Sequence, residues 1–541
     1  MLSFAHVAKS FDDTPVLRDI TFAVAAGART ALVGPNGVGK TTLLRIAAGS
    51  LQPDAGTVRR PAHTAYVPQD YGLVADRSVL AFLKLRSGVL QAEQDLRAAE
   101  AALAADAPHG AERYAGAFER YEALTAWSFA ATAEQALAAV DLPAGLLDRD
   151  VGSLSGGEQV RIGLAGVLAS QYDAYLLDEP TNSLDLPALD ALEAFVVRSP
   201  ATFLIVSHDR AFLAAVATTV VEIDEHERTA EVYGVGFALY RELREQALAA
   251  RHARYRAYVD EVERLRTAAG AHAAAAARTR DRRPPRDGDK HARHFFAQRA
   301  SEQAARAQRR LERRLEQLDA QREPRTGWEL RLSLEAAQRG SDRVAEVLGA
   351  VVQRGEFTLG PVSLDVRWGE RVALLGRNGS GKTTLLEVIT GTRAPDAGQV
   401  RRGPATVFGV LRQGGLVSDD RASGLASFQA ALGWPEAQAR TLLAKFDLRA
   451  EHVHRPVGSY SPGERCRLGL AILMARGANC LVLDEPTSHL DLEATEQLEQ
   501  ALQGFDGTLL VVSHDRAFSE RIGLTRRITL AGGLITADEP C

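Results

Sequence analysis

Two glycine-rich strings in this chain end in a lysine and a hydroxyl residue. The first runs Gly34-Pro35-Asn36-Gly37-Val38-Gly39-Lys40-Thr41-Thr42 and the second Gly376-Arg377-Asn378-Gly379-Ser380-Gly381-Lys382-Thr383-Thr384. Such a turn lets successive backbone amides point at one spot, and a helix opening there adds its partial positive charge, so the string cradles phosphate groups. Lys40 and Lys382 then reach the β- and γ-phosphates, and the hydroxyls of Thr41 and Thr383 suit Mg²⁺. Further on, Asp178-Glu179-Pro180 and Asp484-Glu485-Pro486 each follow an apolar run. Adjacent carboxylates can divide the work. Asp178 and Asp484 are placed to hold the metal through water, while Glu179 and Glu485 orient and deprotonate an attacking water as general bases. The chemistry is hydrolysis of a nucleoside triphosphate, provided for twice.

Strands and helices must hold these groups in place. Apolar runs at 30–33 and 372–375 enter the glycine turns, and helical segments at 40–48 and 382–389 leave them, which is the strand, loop and helix order a phosphate-binding loop requires. The acid pairs close runs that read as buried parallel strands. Spacings repeat between the halves: Ser155 to Asp178 and Ser461 to Asp484 are both 23 residues, and the steps from those aspartates to His208 and His514 are both 30. The offset of 342 residues between Gly34 and Gly376 is far longer than solenoid repeats and reads as duplication of a whole domain. The expected fold is α/β, with tandem P-loop domains at 1–240 and 329–541 joined by a helical hairpin at 241–328.

Bulk composition narrows the class. With 541 residues each half has ample chain for a core, and 46% apolar with 25% charged residues is ordinary for a globular protein. No apolar run reaches the roughly 18 to 20 residues of a membrane span, and the N-terminus lacks a basic segment followed by an apolar core, so a cytoplasmic location is expected. Cys466, Cys480 and Cys541 form no C-x-x-C pair, which argues against zinc, iron–sulfur clusters and a disulfide framework. The net charge of −5 is uneven: residues 241–330 carry 22 Lys/Arg against 14 Asp/Glu, +8, leaving −13 elsewhere. A basic segment on an acidic body points to a polyanionic partner.

A further string, Ser155-Gly156-Gly157-Glu158 and its counterpart Ser461-Pro462-Gly463-Glu464, reads as a second helix N-terminus able to offer hydroxyl and amide donors to a phosphate. With it the chain resembles the ATP-binding-cassette family. The resemblance implies head-to-tail composite sites, one joining Lys40, Asp178 and Glu179 to Ser461 and the other joining Lys382, Asp484 and Glu485 to Ser155. It also implies that Gln69 and Gln413 sense the γ-phosphate and metal, that His208 and His514 are switch histidines, and that 183–185 and 489–491 cross the seam. Phe11 falls where the family stacks an aromatic ring on adenine, but the aligned position in the second half is Gln353. Pro462 stands for Gly156, and Ser183 replaces the histidine kept at His489, so unequal sites are expected.

Two regions lie outside the motor. The first half carries about 38 extra residues, since Gln69 to Ser155 spans 86 and Gln413 to Ser461 spans 48. Helical spacing over 88–128, broken at His109-Gly110, suggests a short hairpin, read either as a packed decoration or as an arm for a partner. Within the connector, 241–280 and 291–321 are rich in helix formers, with prolines and a glycine between them. About 40 helical residues extend roughly 60 Å, enough to reach well away from the domains. Arg278, Arg280, Arg282, Arg283, Arg286, Lys290 and Arg293, with Arg299, form a basic tip for RNA phosphates, and His291, His294, Phe295 and Phe296 add stacking surfaces.

Tandem cassettes joined by such a hairpin resemble the ABC-F ATPases. The resemblance implies a monomer that pairs its own cassettes around ATP and Mg²⁺. It implies binding in the ribosomal exit site against large-subunit RNA and P-site tRNA, with no membrane partner. It leaves open protection of ribosomes from antibiotics or relief of stalled ribosomes. The twin ATPase of a membrane importer and a DNA-repair or chromosome-organising ATPase are the competing classes. The importer would lack the basic hairpin, and the others carry zinc-binding cysteines or much longer coiled coils.

Overall fold

The computed structural model describes the chain apart from residues 13, 70–75, 183, 225–226, 282–305, 307–309, 311–312, 314–338, 340, 356, 413–415, 417–418, 447 and 489. Gln413, Ser183, His489, Arg282, Arg283, Arg286, Lys290, Arg293, Arg299, the four aromatic residues of the tip and nearly all of the second connector helix therefore lie outside the described residues. The chain divides into one unit of Met1–Phe237 with Trp328–Cys541, and another of Ala238–Gly327.

In the first half, strands β1 (Leu2–Phe11), β2 (Thr14–Val24) and β4 (Ala55–Arg59) form an antiparallel sheet, order β2-β1-β4. Strands β3 (Arg29–Val33), β5 (Thr64–Val67), β6 (Ala174–Asp178), β7 (Thr202–Val206), β8 (Thr219–Ile223) and β9 (Ala230–Tyr233) form a second sheet, order β5-β6-β7-β3-β8-β9, parallel except at the β8–β9 edge. The second half repeats both sheets with β10 (Arg343–Arg354), β11 (Phe357–Arg367) and β13 (Ala397–Arg402), and with β12 (Arg371–Gly376), β14 (Phe408–Leu411), β15 (Cys480–Asp484), β16 (Thr508–Val512), β17 (Arg526–Ala531) and β18 (Leu534–Pro540). Every residue of β6, β7 and β16 is buried, as strands covered on both faces require, which is why they read as unbroken apolar runs.

Each glycine turn feeds a nine-residue helix, Lys40–Ala48 or Lys382–Thr390. Leu43, Leu44 and Ile46 anchor the first in a core with Leu32, Leu176 and Leu204, and Leu385, Val388 and Ile389 anchor the second beside Leu374, Val482 and Leu510. Those apolar anchors fix where each helix N-terminus points. In the first half, helices Val89–Ala104 and Gly110–Ala123 fold back on each other through His109, which adopts a left-handed φ of 60°.

In the unit Ala238–Gly327, the helix Phe237–Asp281 contributes nearly all the described structure. At 45 residues it is roughly 68 Å long. Arg278 and Arg280 fall in its last turns. Polar pairs such as Glu261–Arg264 at 2.7 Å lie along it, as on a helix whose surface is mostly solvated.

Candidate functional site

Left-handed glycines shape both phosphate loops. Gly34 (φ 148°) and Gly376 (φ 145°) open them, and a β-carbon there would fall 2.8 Å from the Ile223 carbonyl and 2.3 Å from that of Leu530. Only glycine permits so close a passage of loop over strand end. Lys40 donates from Nζ to the Gly34 and Pro35 carbonyls at 2.7 and 2.9 Å, and Lys382 to those of Gly376 and Arg377 at 2.7 and 3.0 Å. Both ammonium groups are buried, and burial lowers their proton affinity even though nearby carboxylates oppose it. The loops thus hold a desolvated cation at a helix N-terminus, a site with strong affinity for anionic oxygens.

The acid pairs face these loops. Thr41 Oγ1 donates to Asp178 Oδ1 at 3.1 Å and Thr383 Oγ1 to Asp484 Oδ2 at 2.9 Å. Hydroxyl and carboxylate oxygens converging in this way fit Mg²⁺, which binds through one or two protein oxygens and otherwise through water and phosphate. Glu179 and Glu485 each take φ 51°, left-handed and costly for a residue with a β-carbon. Strand-like bonds hold them there: Glu179 N donates to the Val206 carbonyl at 2.8 Å and Glu485 N to that of Val512 at 2.9 Å. Burial pushes both carboxyls up to about 7, against the pull of Lys40 and Lys382.

Around each glutamate the histidines complete the arrangement. His208 N donates to Glu179 Oε2 at 3.2 Å, and Nε2 of the same residue lies 3.2 Å from Asn36 Oδ1. His514 Nε2 stands 3.3 Å from Asn378 Oδ1, and burial lowers its proton affinity to about 4, so its ring is neutral at ordinary pH. Among the described residues Oε1 of Glu179 and Oε1 of Glu485 are buried with no hydrogen-bond partner, the His514 ring standing 3.5 Å from the latter. The His208 ring stands 3.2 Å from Glu179 Oε1, yet its Nε2 is directed at Asn36 and does not satisfy that oxygen. A buried carboxylate oxygen without a donor suits a group that accepts a proton from water.

The halves meet across a seam. Asn36 N donates to Asp491 Oδ2 of the other half at 3.1 Å. One cavity is lined by Phe11, Gly37, Gly39, Lys40, Thr41, Thr42, Gln69, Asp178, Glu179 and His208 together with Pro462 from the opposite signature string. The other brings Gly156 and Gly157 to Asn378, Gly379, Glu485 and His514. Ser155 and Ser461 cap their helices with reciprocal bonds to Glu158 and Glu464. Ser380 and Thr384 are buried beneath their loop, and Gly463 packs close to Ala494.

Several participants escaped the sequence reading. Tyr66 donates its hydroxyl to Asp178 Oδ2 at 3.0 Å. Arg210 forms a buried two-pronged ion pair with Glu499 of the other half. Arg377, read from the sequence only as part of the second phosphate loop, pairs with Asp141 across the seam and lies 3.8 Å from Asp185. Offset counting also misplaced Gln353. Ser10 N and Gln353 N make matching 2.7 Å bonds to Asp54 and Asp396, and the hairpins close on Phe11↔Thr14 and Arg354↔Phe357. Arg354 therefore answers to Phe11, because a bulge at Val16 gives the first hairpin one extra residue. An aromatic ring still reaches the second loop: Phe357 lies 3.0 Å from where a β-carbon on Gly381 would sit.

Comparison with known proteins agrees with this geometry. The family model described as ABC transporter matches residues 17–182 and 359–488. The chain is 36% identical to the tylosin resistance ATP-binding protein TlrC of Streptomyces fradiae, over 96% of this chain and 95% of that one. It is 31% identical to the energy-dependent translational throttle protein EttA of Mycobacterium tuberculosis, over 95% and 88%. Among solved structures, RNase-L Inhibitor superposes with a TM-score of 0.57 at 18% identity, covering 99% of this chain and 90% of that chain, a likeness of fold.

Proposed function

Since this chain belongs to the ABC-F family of tandem ATP-binding-cassette ATPases, we propose that it binds the ribosome in its ATP-closed form and protects it from an inhibitory antibiotic. The chain hydrolyses ATP. The observation that carries the rest is end-to-end similarity to a protein named for tylosin resistance. A second reading, a translation factor that acts on stalled ribosomes, is favoured by the similarity to EttA over nearly the same span. Either activity is cytoplasmic, and in both the basic connector, with Arg278, Arg280 and the following basic residues, meets RNA near the P-site tRNA.

The site chemistry follows from its residues. Lys40 and Lys382, with the loop amides, bind the β- and γ-phosphate oxygens. Thr41 with Asp178, and Thr383 with Asp484, would hold Mg²⁺, assisted by Gln69 and Gln413. When bound, the metal neutralises charge on the transferring phosphoryl group. Glu179 and Glu485 take the proton from the attacking water; a proton affinity near neutrality suits a base that must gain and lose that proton. His208 and His514 orient the loops through Asn36 and Asn378. Ser461 and Ser155, with their helix amides, complete the opposite sites. Because each site draws on both halves, the γ-phosphates hold the seam shut, and their loss opens it. A swing from 1:99 to 99:1 needs about 5.5 kcal/mol of differential binding.

Replacing both bases, Glu179→Gln with Glu485→Gln, should leave ATP bound and the protein trapped on ribosomes. Co-sedimentation with ATP checks this; release at the wild-type rate refutes the scheme. Expression in a susceptible host, with inhibitory concentrations measured over a drug panel that includes tylosin and with residues 281–290 deleted as control, separates protection from a translation-factor role.

A further inference from the structure

Asp178 is gripped at both oxygens. Thr41 from the loop helix holds Oδ1 at 3.1 Å, and the Tyr66 hydroxyl from β5 holds Oδ2 at 3.0 Å. The strand ladder makes this possible. Tyr66 pairs with Leu176 and Val67 with Leu177, so a long side chain at 66 on the neighbouring parallel strand extends forward to the strand-end carboxylate. Its ring packs partly against the first-half core, and the Arg45 guanidinium bears on both the hydroxyl and Asp178.

The second half has the same ladder without the hydroxyl. Val410 pairs with Val482, and Leu411 with Leu483, two residues and one before Asp484, so Val410 occupies the place of Tyr66. Among the described residues, Thr383 is the one hydroxyl on Asp484. Glu387 stands where Arg45 stands and is engaged by Arg393 at 3.1 Å and Arg412 at 3.8 Å. Closely similar loops thus present differently supported carboxylates.

We propose that Tyr66 is a positioning residue for the metal-binding carboxylate of the first composite site, and that Val410 in its place leaves the second site with a weaker hold on the divalent cation. The inference rests on Asp178 and Asp484 holding the metal. Physically, a carboxylate fixed at both oxygens has given up its rotation before the cation arrives, so less ordering opposes binding. Outer partners of this kind change metal affinity by about 10- to 100-fold when removed. Hydrogen-bond donation also draws charge from Asp178, which opposes tight binding. Orientation prevails because Asp178 is 3% exposed, and without the tyrosine Oδ2 loses its hydroxyl donor in a setting where water cannot easily replace it.

The test uses Mn²⁺ as probe, titrated by electron paramagnetic resonance in the presence of a non-hydrolysable ATP analogue. Lys382→Ala isolates the first site in the full chain, and Lys40→Ala isolates the second. Tyr66→Phe keeps the ring and its packing. It should weaken Mn²⁺ binding about tenfold in the first-site chain and leave the second-site chain unchanged, and Val410→Tyr should tighten the second. A change under twofold in the first-site chain, or equal weakening in both chains, overturns the inference. If neither parent chain shows analogue-dependent Mn²⁺ binding, the metal assignment itself falls, and the proposal with it.

Discussion

Replacing Arg210 by methionine tests what holds the halves in register. The Arg210 side chain is 2% exposed and that of Glu499 3%, and the guanidinium meets the carboxylate with both terminal nitrogens. Breaking a buried pair by removing one partner typically costs about 3 to 5 kcal/mol, because the survivor stays desolvated and unpaired. Glu499 retains Arg521 at 3.3 Å, so the lower end applies: about 3 kcal/mol, or roughly a hundredfold in the closing equilibrium. If opening returns Glu499 to water, that penalty falls on the closed state alone. The equivalent arginine on the other side, Arg516, pairs instead with Asp190 at 2.6 Å, 41% and 62% exposed, and stands 4.0 Å from Glu193, the counterpart of Glu499, so removing it should cost about 0 to 1 kcal/mol. Closure can be followed by energy transfer between dyes on the two cassettes as ATP is titrated, with Glu179→Gln and Glu485→Gln preventing turnover. Arg210→Met should raise the ATP needed by far more than Arg516→Met does. Adding Glu499→Leu to Arg210→Met should recover part of the loss, because no unpaired charge then remains. Equal effects of Arg210→Met and Arg516→Met, or strict additivity with Glu499→Leu, would refute the reasoning.

Asp515 offers a pH signature: burial raises its carboxyl from an ordinary 3.8 to about 6, with Asp209 and Glu499 adding to the rise. The folded chain holds that proton more tightly than the unfolded one, so stability from this group is fullest below about 4 and is lost as pH climbs through 6. Asp515→Asn mimics the protonated form and keeps the helix cap on Phe518, so it should be more stable than the parent by about 1 to 3 kcal/mol at pH 7.5, with the gap closing toward pH 4 in urea unfolding. Phe357→Leu should weaken ATP binding about tenfold in a chain reduced to its second site, since stacking on a base is worth about 1 to 3 kcal/mol; unchanged affinity by calorimetry would remove the ring from base binding.

What the sequence made legible was chemistry carried by contiguous strings. The glycine loops, the acid pairs and the histidines sit where local backbone rules put them, and all-buried strands such as β6 announce themselves as apolar runs. Contacts between distant segments outside those strings were not legible. Arg210 and Glu499 are 289 residues apart, and each alone reads as an ordinary helical charge. Tyr66 reads as one more strand residue, because only the β5–β6 register brings its hydroxyl to Asp178. The misplacement of Gln353 has a local cause, a single bulged residue at Val16 that no offset count detects.

The pattern of likeness and difference between the two sites carries its own argument. Groups expected to touch phosphate, metal or water are duplicated almost atom for atom. Both lysines bond their loop carbonyl at 2.7 Å, and both glutamates adopt φ 51°. One layer outward the halves diverge at Tyr66 against Val410, and within the phosphate-facing strings themselves they differ at Pro35 against Arg377 and Gly156 against Pro462. A common transition state constrains the inner layer, whereas the outer layer sets how firmly each inner group is held and how each site is tied to its neighbour. Two sites built this way should perform the same reaction at different rates, which single-turnover hydrolysis in chains reduced to one site would measure. If the seam opens only when both γ-phosphates are gone, the slower site fixes the dwell time of the closed protein, and substitutions in the outer layer will lengthen or shorten that dwell without altering the chemistry.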